Sequence, residues 1–196
     1  LTGATGFVGA FLLKELLERT NCVVHCLVRA ADETQGLRRI RQTLEKYELW
    51  DALAAVDPDT MRIQQVVVGD LGKPLFGLKL ERFEQLAQTV SAVFHCGAWV
   101  HSVAPYTRLR AANVRGTAEV LRLASLRRAG AAPVHFVSTL SVVTGPIDDS
   151  GVVYEGDQVD LTKVYDLDEG YAQTKFVAEC LVREAACRGV PTTIFR

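Results

Sequence analysis

The stretch Thr2-Gly3-Ala4-Thr5-Gly6-Phe7-Val8-Gly9 decides the fold of this 196-residue chain. Its glycines, Gly3, Gly6 and Gly9, follow a strand-like start and open an apolar stretch with helical spacing. Glycines in this context allow a tight turn and let the backbone approach a pyrophosphate, whose charge then faces a helix N-terminus. A lone glycine triplet is often only a turn, but the strand-to-helix context favours a dinucleotide site.

Outward from this turn, strand-like apolar runs alternate with helical patterns. We expect strands at 1–2, 22–28, 61–68, 90–96, 134–138 and 192–195, and helices at 7–19, 35–50, 80–88, 107–128 and 170–188. This alternation predicts an α/β fold of Rossmann type, a doubly wound parallel sheet with helices on both faces and ligands at the carboxyl ends of the strands. Residues 145–169, rich in Asp, predict a long surface loop bordering the site.

The composition indicates one globular domain over residues 1–196, because 48% of the residues are hydrophobic and 23% are charged. A net charge of −1 provides no excess of positive charge that would favour binding to nucleic acid or to an anionic membrane. No apolar run is long enough to span a bilayer. The five cysteines lack metal-ligand spacing, so we expect mostly buried free thiols, no metal site and a reducing, cytoplasmic location.

The residues after the second predicted strand indicate which dinucleotide is bound. NAD enzymes usually place Asp or Glu about 20 residues after the glycine turn, where it holds the ribose hydroxyls. Here that position is Arg29, a cation that suits the 2′-phosphate of NADP, and Arg39 on the next helix can provide a second. The alternative for Arg38 and Arg39 is that they are solvated helix charges. We therefore expect NADPH.

Tyr171 and Lys175 are candidates for proton donation to a carbonyl. At i and i+4 of a helix they share a face, and a nearby ammonium would lower the tyrosine pKa from roughly 10. A surface Tyr/Lys pair is the common alternative. Thr139, at the end of the fifth strand, is the expected hydroxyl that holds the substrate oxygen, with Ser138 or Ser141 as alternatives.

Several further motifs run through the chain. They are Cys26–Ala30, Tyr47–Trp50, Gly69–Leu71, Leu75–Leu78, His95–Ala98, Pro105–Tyr106, Asn113–Thr117 and Gly170–Lys175. In combination the chain resembles the thioester reductase domains of nonribosomal peptide and polyketide synthetases and carboxylic acid reductases, within the extended short-chain dehydrogenases/reductases. His101 departs from the pattern, since Asn is expected there.

The resemblance implies NADPH-dependent reduction of an acyl or peptidyl thioester, carried on the phosphopantetheine of a carrier protein, to an aldehyde and in some cases an alcohol. It gives the catalytic roles to Thr139, Tyr171 and Lys175. The expected cofactor contacts are Gly3, Thr5, Gly6, Phe7, Val8, Gly9, Arg29, Arg39, Asp70, Leu71, Gly97, Ala98, Val100, Asn113, Ser138, Tyr171 and Lys175.

The motifs leave alternatives open. They are a fatty acyl-CoA reductase, another carbonyl reductase or sugar-nucleotide epimerase of the extended type, and a non-enzymatic NADP-sensing regulator, which would lose the proton donor. The chain starts without Met and stops inside an apparent strand. We therefore expect a fragment of a longer reductase, truncated before the C-terminal portion that shapes the substrate site.

Overall fold

Helices and strands alternate along the chain in the computed structural model, which describes residues 1–56, 65–143, 154, 162, 164 and 167–196. The helices are α1 Phe7–Arg19, α2 Glu33–Lys46, α3 Trp50–Val56, α4 Leu80–Thr89, α5 Tyr106–Arg110, α6 Gly116–Ser125 and α7 Gly170–Cys187. The strands are β1 His25–Val28, β2 Gln65–Val68, β3 Val93–His95, β4 Val134–Val137 and β5 Thr192–Phe195.

The first two residues complete the sheet. Thr2 forms parallel bridges with Leu27 of β1 on one side and with His95 of β3 on the other. Strand β1 pairs in parallel with β2, and β3, β4 and β5 pair in parallel in that sequence. The spatial order is therefore β2, β1, the N-terminal residues, β3, β4 and β5. When the N-terminal residues are counted as the first strand of six, this order becomes 3-2-1-4-5-6, which is the Rossmann order. The order reverses beside Thr2, where the glycine turn begins.

Helices cover both faces of this sheet. Successive side chains of a strand point to opposite faces, and in β2 Val66 packs in one hydrophobic cluster while Val67 packs in another. The first cluster draws buried residues from α1, α2 and α3, and the second draws them from α4, α6 and α7. The expected doubly wound α/β fold is therefore confirmed.

Some element boundaries differ from the prediction. The helix expected over 107–128 is interrupted by a π-helical turn at Ala111–Arg115, between α5 and α6. Helix α3 was not expected, and the strand expected over 22–28 is formed only at its end. The strand expected at 61–68 is described only from residue 65, and most of the loop expected at 145–169 lies outside the described residues.

The cysteines are all free, but their environments vary. Cys26 is buried, whereas Cys22 and Cys187 are exposed and the other two are half-buried, so the expectation of mostly buried thiols is wrong. Within the described ranges, no group of three or more His, Cys, Asp or Glu side chains is placed to hold a metal ion. None of the described helices has the length and apolarity needed to cross a bilayer.

Candidate active site

The glycine turn lies where the strand order reverses. Gly3 has φ = +78°, a conformation that glycine adopts without strain. A Cβ on Gly3 would come within 2.7 Å of the Gly97 nitrogen, and a Cβ on Gly9 within 2.1 Å of the Gly3 carbonyl oxygen. Both glycines are therefore required by close backbone contacts, which pack the start of α1 against the turn.

The turn also fits an anionic ligand. Gly6 is the N-cap of α1, and no side chain in the described part of the chain caps the helix there. The first N–H groups of a helix have no intrahelical partner and attract negative charge. Gly6, Phe7 and Val8 are exposed at this point and Thr5 is half-buried. The bare backbone and exposed helix start suit a pyrophosphate.

The two arginines expected at the ribose phosphate lie together. Arg29 follows the carboxyl end of β1 and is exposed. The guanidinium of Arg39, on α2, donates a hydrogen bond to the backbone oxygen of Arg29. The tertiary structure thus brings the Arg39 guanidinium to the Arg29 backbone, just after the carboxyl end of β1.

Asp70 and Leu71 follow the carboxyl end of β2. The Asp70 carboxylate accepts a hydrogen bond of 2.8 Å from the Gly72 N–H, which shapes the turn after the strand. A Cβ on Gly116 would come within 2.8 Å of the Leu71 carbonyl oxygen, so the start of α6 fixes the position of Leu71. The carboxylate is thus used at least in part by the turn itself, and a cofactor contact here stays a prediction.

The segment after β3 runs through the same edge of the sheet. Gly97 is buried, Ala98 is half-buried and Val100 is exposed. Asn113 is 1% exposed, and its carboxamide accepts a hydrogen bond from Trp99 N (2.6 Å) and donates to Trp99 O (3.1 Å). Asn113 thus fastens the π-helical turn to this segment. Its expected contact with the cofactor stays a prediction.

The hydroxyls after β4 point in different directions. Thr139 is half-buried and its Oγ1 accepts a hydrogen bond from Ser141 N at 3.2 Å, so it also caps the 3₁₀ turn Leu140–Val142. The Ser138 hydroxyl instead donates to the buried carboxylate of Glu179 at 2.7 Å. Thr139 is therefore the more accessible of the two hydroxyls.

Glu179 is a functional candidate that sequence reasoning missed. It is fully buried on α7, and the guanidinium groups of Arg183 and Arg196 donate to it at 3.0 and 2.7 Å. Burial raises its pKa, but these hydrogen bonds and that from Ser138 outweigh the burial, so the pKa is lowered. The four-residue step from Lys175 to Glu179 was the available signal, since it places both side chains on one helix face.

Tyr171 and Lys175 lie in the first turns of α7. A Cβ on Gly170 would come within 2.4 Å of the Ala104 carbonyl oxygen and 2.5 Å of the Tyr106 nitrogen, so the helix start abuts the chain that leads into α5. Glycine at position 170 lets Tyr171 lie close to the segment after β3. Tyr171 is half-buried, and burial raises the pKa of its phenol.

The Lys175 side chain does not activate Tyr171 in the way that the sequence suggested. It is 3% exposed, and its ammonium donates to the Val137 carbonyl oxygen at 2.7 Å and lies 3.9 Å from the centre of the Phe136 ring. Burial lowers its pKa to about 8, although the Glu179 carboxylate opposes this. The expected lowering of the Tyr171 pKa is therefore not found, because burial of the phenol decides the direction.

The predicted residues thus converge on one edge of the sheet. The glycine turn and the arginines lie at the ends of the first half of the sheet, and Thr139 follows β4. Helix α7 brings Tyr171 to the side of the segment after β3. This edge combines backbone N–H groups that suit an anion with cations and hydroxyl groups. Such groups can bind a dinucleotide and hold a carbonyl group beside it.

Comparison with known proteins defines the class. The terminal R domain of the myxalamid PKS-NRPS biosynthetic pathway has a TM-score of 0.86 and 46% identity, and covers 100% of this chain and 47% of that chain. The reductase (R) domain of a nonribosomal peptide synthetase from Mycobacterium tuberculosis has a TM-score of 0.74 and 31% identity, with 100% and 46% covered. The chain therefore has the fold of somewhat less than half of such a reductase domain.

The sequence relatives agree. A linear gramicidin synthase polypeptide from Brevibacillus parabrevis is 46% identical over 197 residues, which is 100% of this chain and 4% of that protein. The family model for NAD-binding, described as Male sterility protein, matches residues 1–196, and the chain belongs to this family. The match indicates that the chain binds a nicotinamide cofactor. The chain spans less than half of the solved R domains and a small part of the synthetase.

Proposed function

We propose that residues 1–196 are the NADPH-binding domain of a reductase that releases an acyl or peptidyl group from the phosphopantetheine thioester of a carrier protein, as an aldehyde. The proposal is supported by the position of the glycine turn, Thr139 and Tyr171 at one edge of the sheet. It is also supported by 46% identity to an R domain over the whole length of the present chain.

NADPH as the form of the cofactor rests on Arg29 and Arg39. The carboxyl end of β1 carries a cation instead of the carboxylate that holds ribose hydroxyls in NAD enzymes. The hydrogen bond from Arg39 to the Arg29 backbone oxygen supports Arg39 as a second guanidinium for the same phosphate. Two guanidinium groups suit a phosphate, which they bind in fork geometry.

The reacting groups of the protein are hydroxyls. When bound, NADPH supplies the hydride that reduces the thioester carbon. Thr139 and Tyr171 donate hydrogen bonds to the carbonyl oxygen and stabilise the negative charge that develops there. Because burial raises the pKa of Tyr171, its phenol is protonated at neutral pH and can transfer that proton to the oxygen. The resulting hemithioacetal collapses, which breaks the carbon–sulfur bond and releases the pantetheine thiol and an aldehyde.

Lys175 serves this chemistry through charge and position. Its buried ammonium lies at the end of β4, held by the Val137 carbonyl, two residues before Thr139. A cation here favours the negative charge that builds on the substrate oxygen. The lysine can also hold the ribose hydroxyls of the cofactor.

The experiment uses the full-length protein that carries this chain. NADPH consumption is followed by absorbance with an acyl thioester on a pantetheinylated carrier protein, against the same acyl group on free CoA, the free acid, and NADH. Consumption confined to NADPH and the carrier thioester supports the proposal, and one or two NADPH per released thiol separates aldehyde from alcohol. Consumption only with acyl-CoA would assign the protein to the fatty acyl-CoA reductases instead.

A matched pair of variants tests the proton donor. Tyr171→Phe removes the phenolic hydroxyl and is expected to lower kcat by roughly 10²- to 10⁴-fold, the usual contribution of a general acid, with the Kd for NADPH nearly unchanged. The control is Tyr47→Phe, which keeps the ring contacts of Tyr47 with Phe7 and Phe11 and should keep kcat. Retention of a large fraction of activity by Tyr171→Phe would remove the tyrosine from the mechanism.

A further inference from the structure

A buried row of polar side chains crosses the molecule from the first strand to α7. Thr2, His95, Thr117, Asn113 and Thr174 are each at most 5% exposed. Thr2 Oγ1 lies 2.7 Å from His95 Nδ1, and His95 Nε2 lies 2.9 Å from Thr117 Oγ1. Sequence reasoning placed these residues in motifs but predicted a role for Asn113 alone.

The hydrogen bonds of this row run in one direction. Thr117 Oγ1 donates its proton to the Asn113 carbonyl oxygen at 2.7 Å, so it accepts from His95 and Nε2 must carry the imidazole proton. Nδ1 is then an acceptor and takes the proton of Thr2 Oγ1, which itself accepts the Gly97 N–H at 2.9 Å. Burial lowers the pKa of His95 to about 3, helped by the charge of Lys175, so the ring is neutral and keeps this tautomer.

The far end of the row reaches the helix that carries Tyr171. Asn113 Nδ2 donates to Thr174 Oγ1 at 2.9 Å, and Thr174 Oγ1 donates to the Tyr171 carbonyl oxygen at 2.8 Å. The Asn113 carboxamide also holds both backbone polar groups of Trp99. The row therefore holds Gly97 through Thr2, Trp99 through Asn113, and the first turn of α7 through Thr174.

Resting on the function proposed above, we propose that the relay formed by this row, Thr2–His95–Thr117–Asn113–Thr174, positions Tyr171 relative to the Gly97–Trp99 backbone, where Gly97 is an expected cofactor contact. This makes His95, Thr117 and Thr174 positioning residues for hydride transfer. Each hydroxyl of the row and His95 Nε2 has a single proton, which already has its acceptor, so no rearrangement inside the row can replace a lost hydroxyl. A buried partner left without its hydrogen bond is costly, and the backbone moves to satisfy it.

The test exchanges hydroxyls for methyl groups. In the full-length protein, Thr174→Val and Thr117→Val keep the side-chain shape but remove the relay proton, whereas Thr174→Ser and Thr117→Ser keep it. We expect each Val variant to lower kcat by roughly 10- to 100-fold, as sub-ångström to 1 Å misplacement of a catalytic group does. The Ser variants should recover most of kcat, and the Kd for NADPH should stay within about twofold, because none of these hydroxyls is expected at the cofactor.

Hydrogen exchange supplies a readout that does not need turnover. The amides of residues 170–175 should exchange faster in the Val variants than in the Ser variants, while the far end of α7 stays unchanged. Equal kcat in the Val and Ser variants, or parallel loss of kcat, NADPH binding and folding in all four, would overturn the relay. If the parent protein reduces no thioester, the proposed function fails, and the exchange of residues 170–175 still decides the relay.

Discussion

Gly170→Ala is the substitution whose effect follows most directly from the structure. A Cβ at this position would lie 2.4 Å from the Ala104 carbonyl oxygen, 2.5 Å from the Tyr106 nitrogen and 2.7 Å from the Pro105 carbonyl carbon. All three atoms belong to the backbone, so no side-chain rotation relieves the contact. The start of α7 must therefore move away from the chain entering α5, and Tyr171 moves with it.

The size of the movement sets the expected effect. Ordinary contact begins at 3.4 Å, so the shortfall at the Ala104 oxygen is about 1 Å, and a displacement of this size near the chemistry costs roughly 100-fold in rate. Overpacking also lowers the free energy of unfolding by about 1–3 kcal/mol. The glycine turn lies on other elements, so the affinity for NADPH should change little.

The assay measures kcat for thioester reduction, the Kd for NADPH and the thermal midpoint. Gly189→Ala is the matched control, because Gly189 lies just beyond the other end of the same helix and its Cβ would have nothing within 4 Å. Its φ of +92° is strained for alanine, so this control loses stability, by about 1–2 kcal/mol, without losing kcat. A Gly170→Ala enzyme with wild-type kcat, or a Gly189→Ala enzyme with the same kcat loss, would refute the reasoning.

Two further predictions concern charge. Arg29→Ser should raise the Kd for NADPH by roughly 10- to 100-fold, because a charge-assisted phosphate contact is lost, and should leave NADH affinity unchanged. The control is Arg38→Ser, on the exposed part of α2. Equal losses of NADPH affinity in both variants would contradict a specific phosphate site. Burial lowers the pKa of Lys175 to about 8 from its usual 10.5. Between these two pH values the unfolded chain binds more protons than the folded chain. The buried lysine therefore lowers the free energy of unfolding by its full amount below pH 8, and this loss fades as the pH rises to 10.5. Without cofactor, Lys175→Met should therefore be more stable than the wild type by up to about 3 kcal/mol below pH 8. Urea titrations should show this gain shrinking towards pH 10.5. A difference in unfolding free energy that does not change with pH would contradict the buried ammonium.

The sequence predicted the fold because its signals are local. Strand and helix periods, and the glycines of the first turn, depend on neighbouring residues, and they gave the doubly wound α/β arrangement with all six strands in place. The boundaries were less predictable. The π-helical turn at Ala111–Arg115 depends on Asn113 reaching Trp99 across the fold, and no local pattern announces such a contact.

The same division holds for the site. The glycine turn, Arg29 and the Tyr171/Lys175 pair were visible in the sequence, because each is a short motif with a fixed spacing. Where the side chains point was decided by tertiary packing. Lys175 is directed to the Val137 carbonyl. Burial of the Tyr171 phenol raises its pKa, whereas the sequence suggested that the pKa falls.

By itself the sequence determined the class of fold, the anion-binding turn and the residue types available for chemistry. Only the tertiary structure decided how they are held together. Glu179 and the row from Thr2 through His95 to Thr174 are spaced tens of residues apart, and their polar atoms find partners only after the sheet has excluded water. Burial makes those partners obligatory, because an unpaired polar group in the interior is costly, and burial is a property of the folded chain.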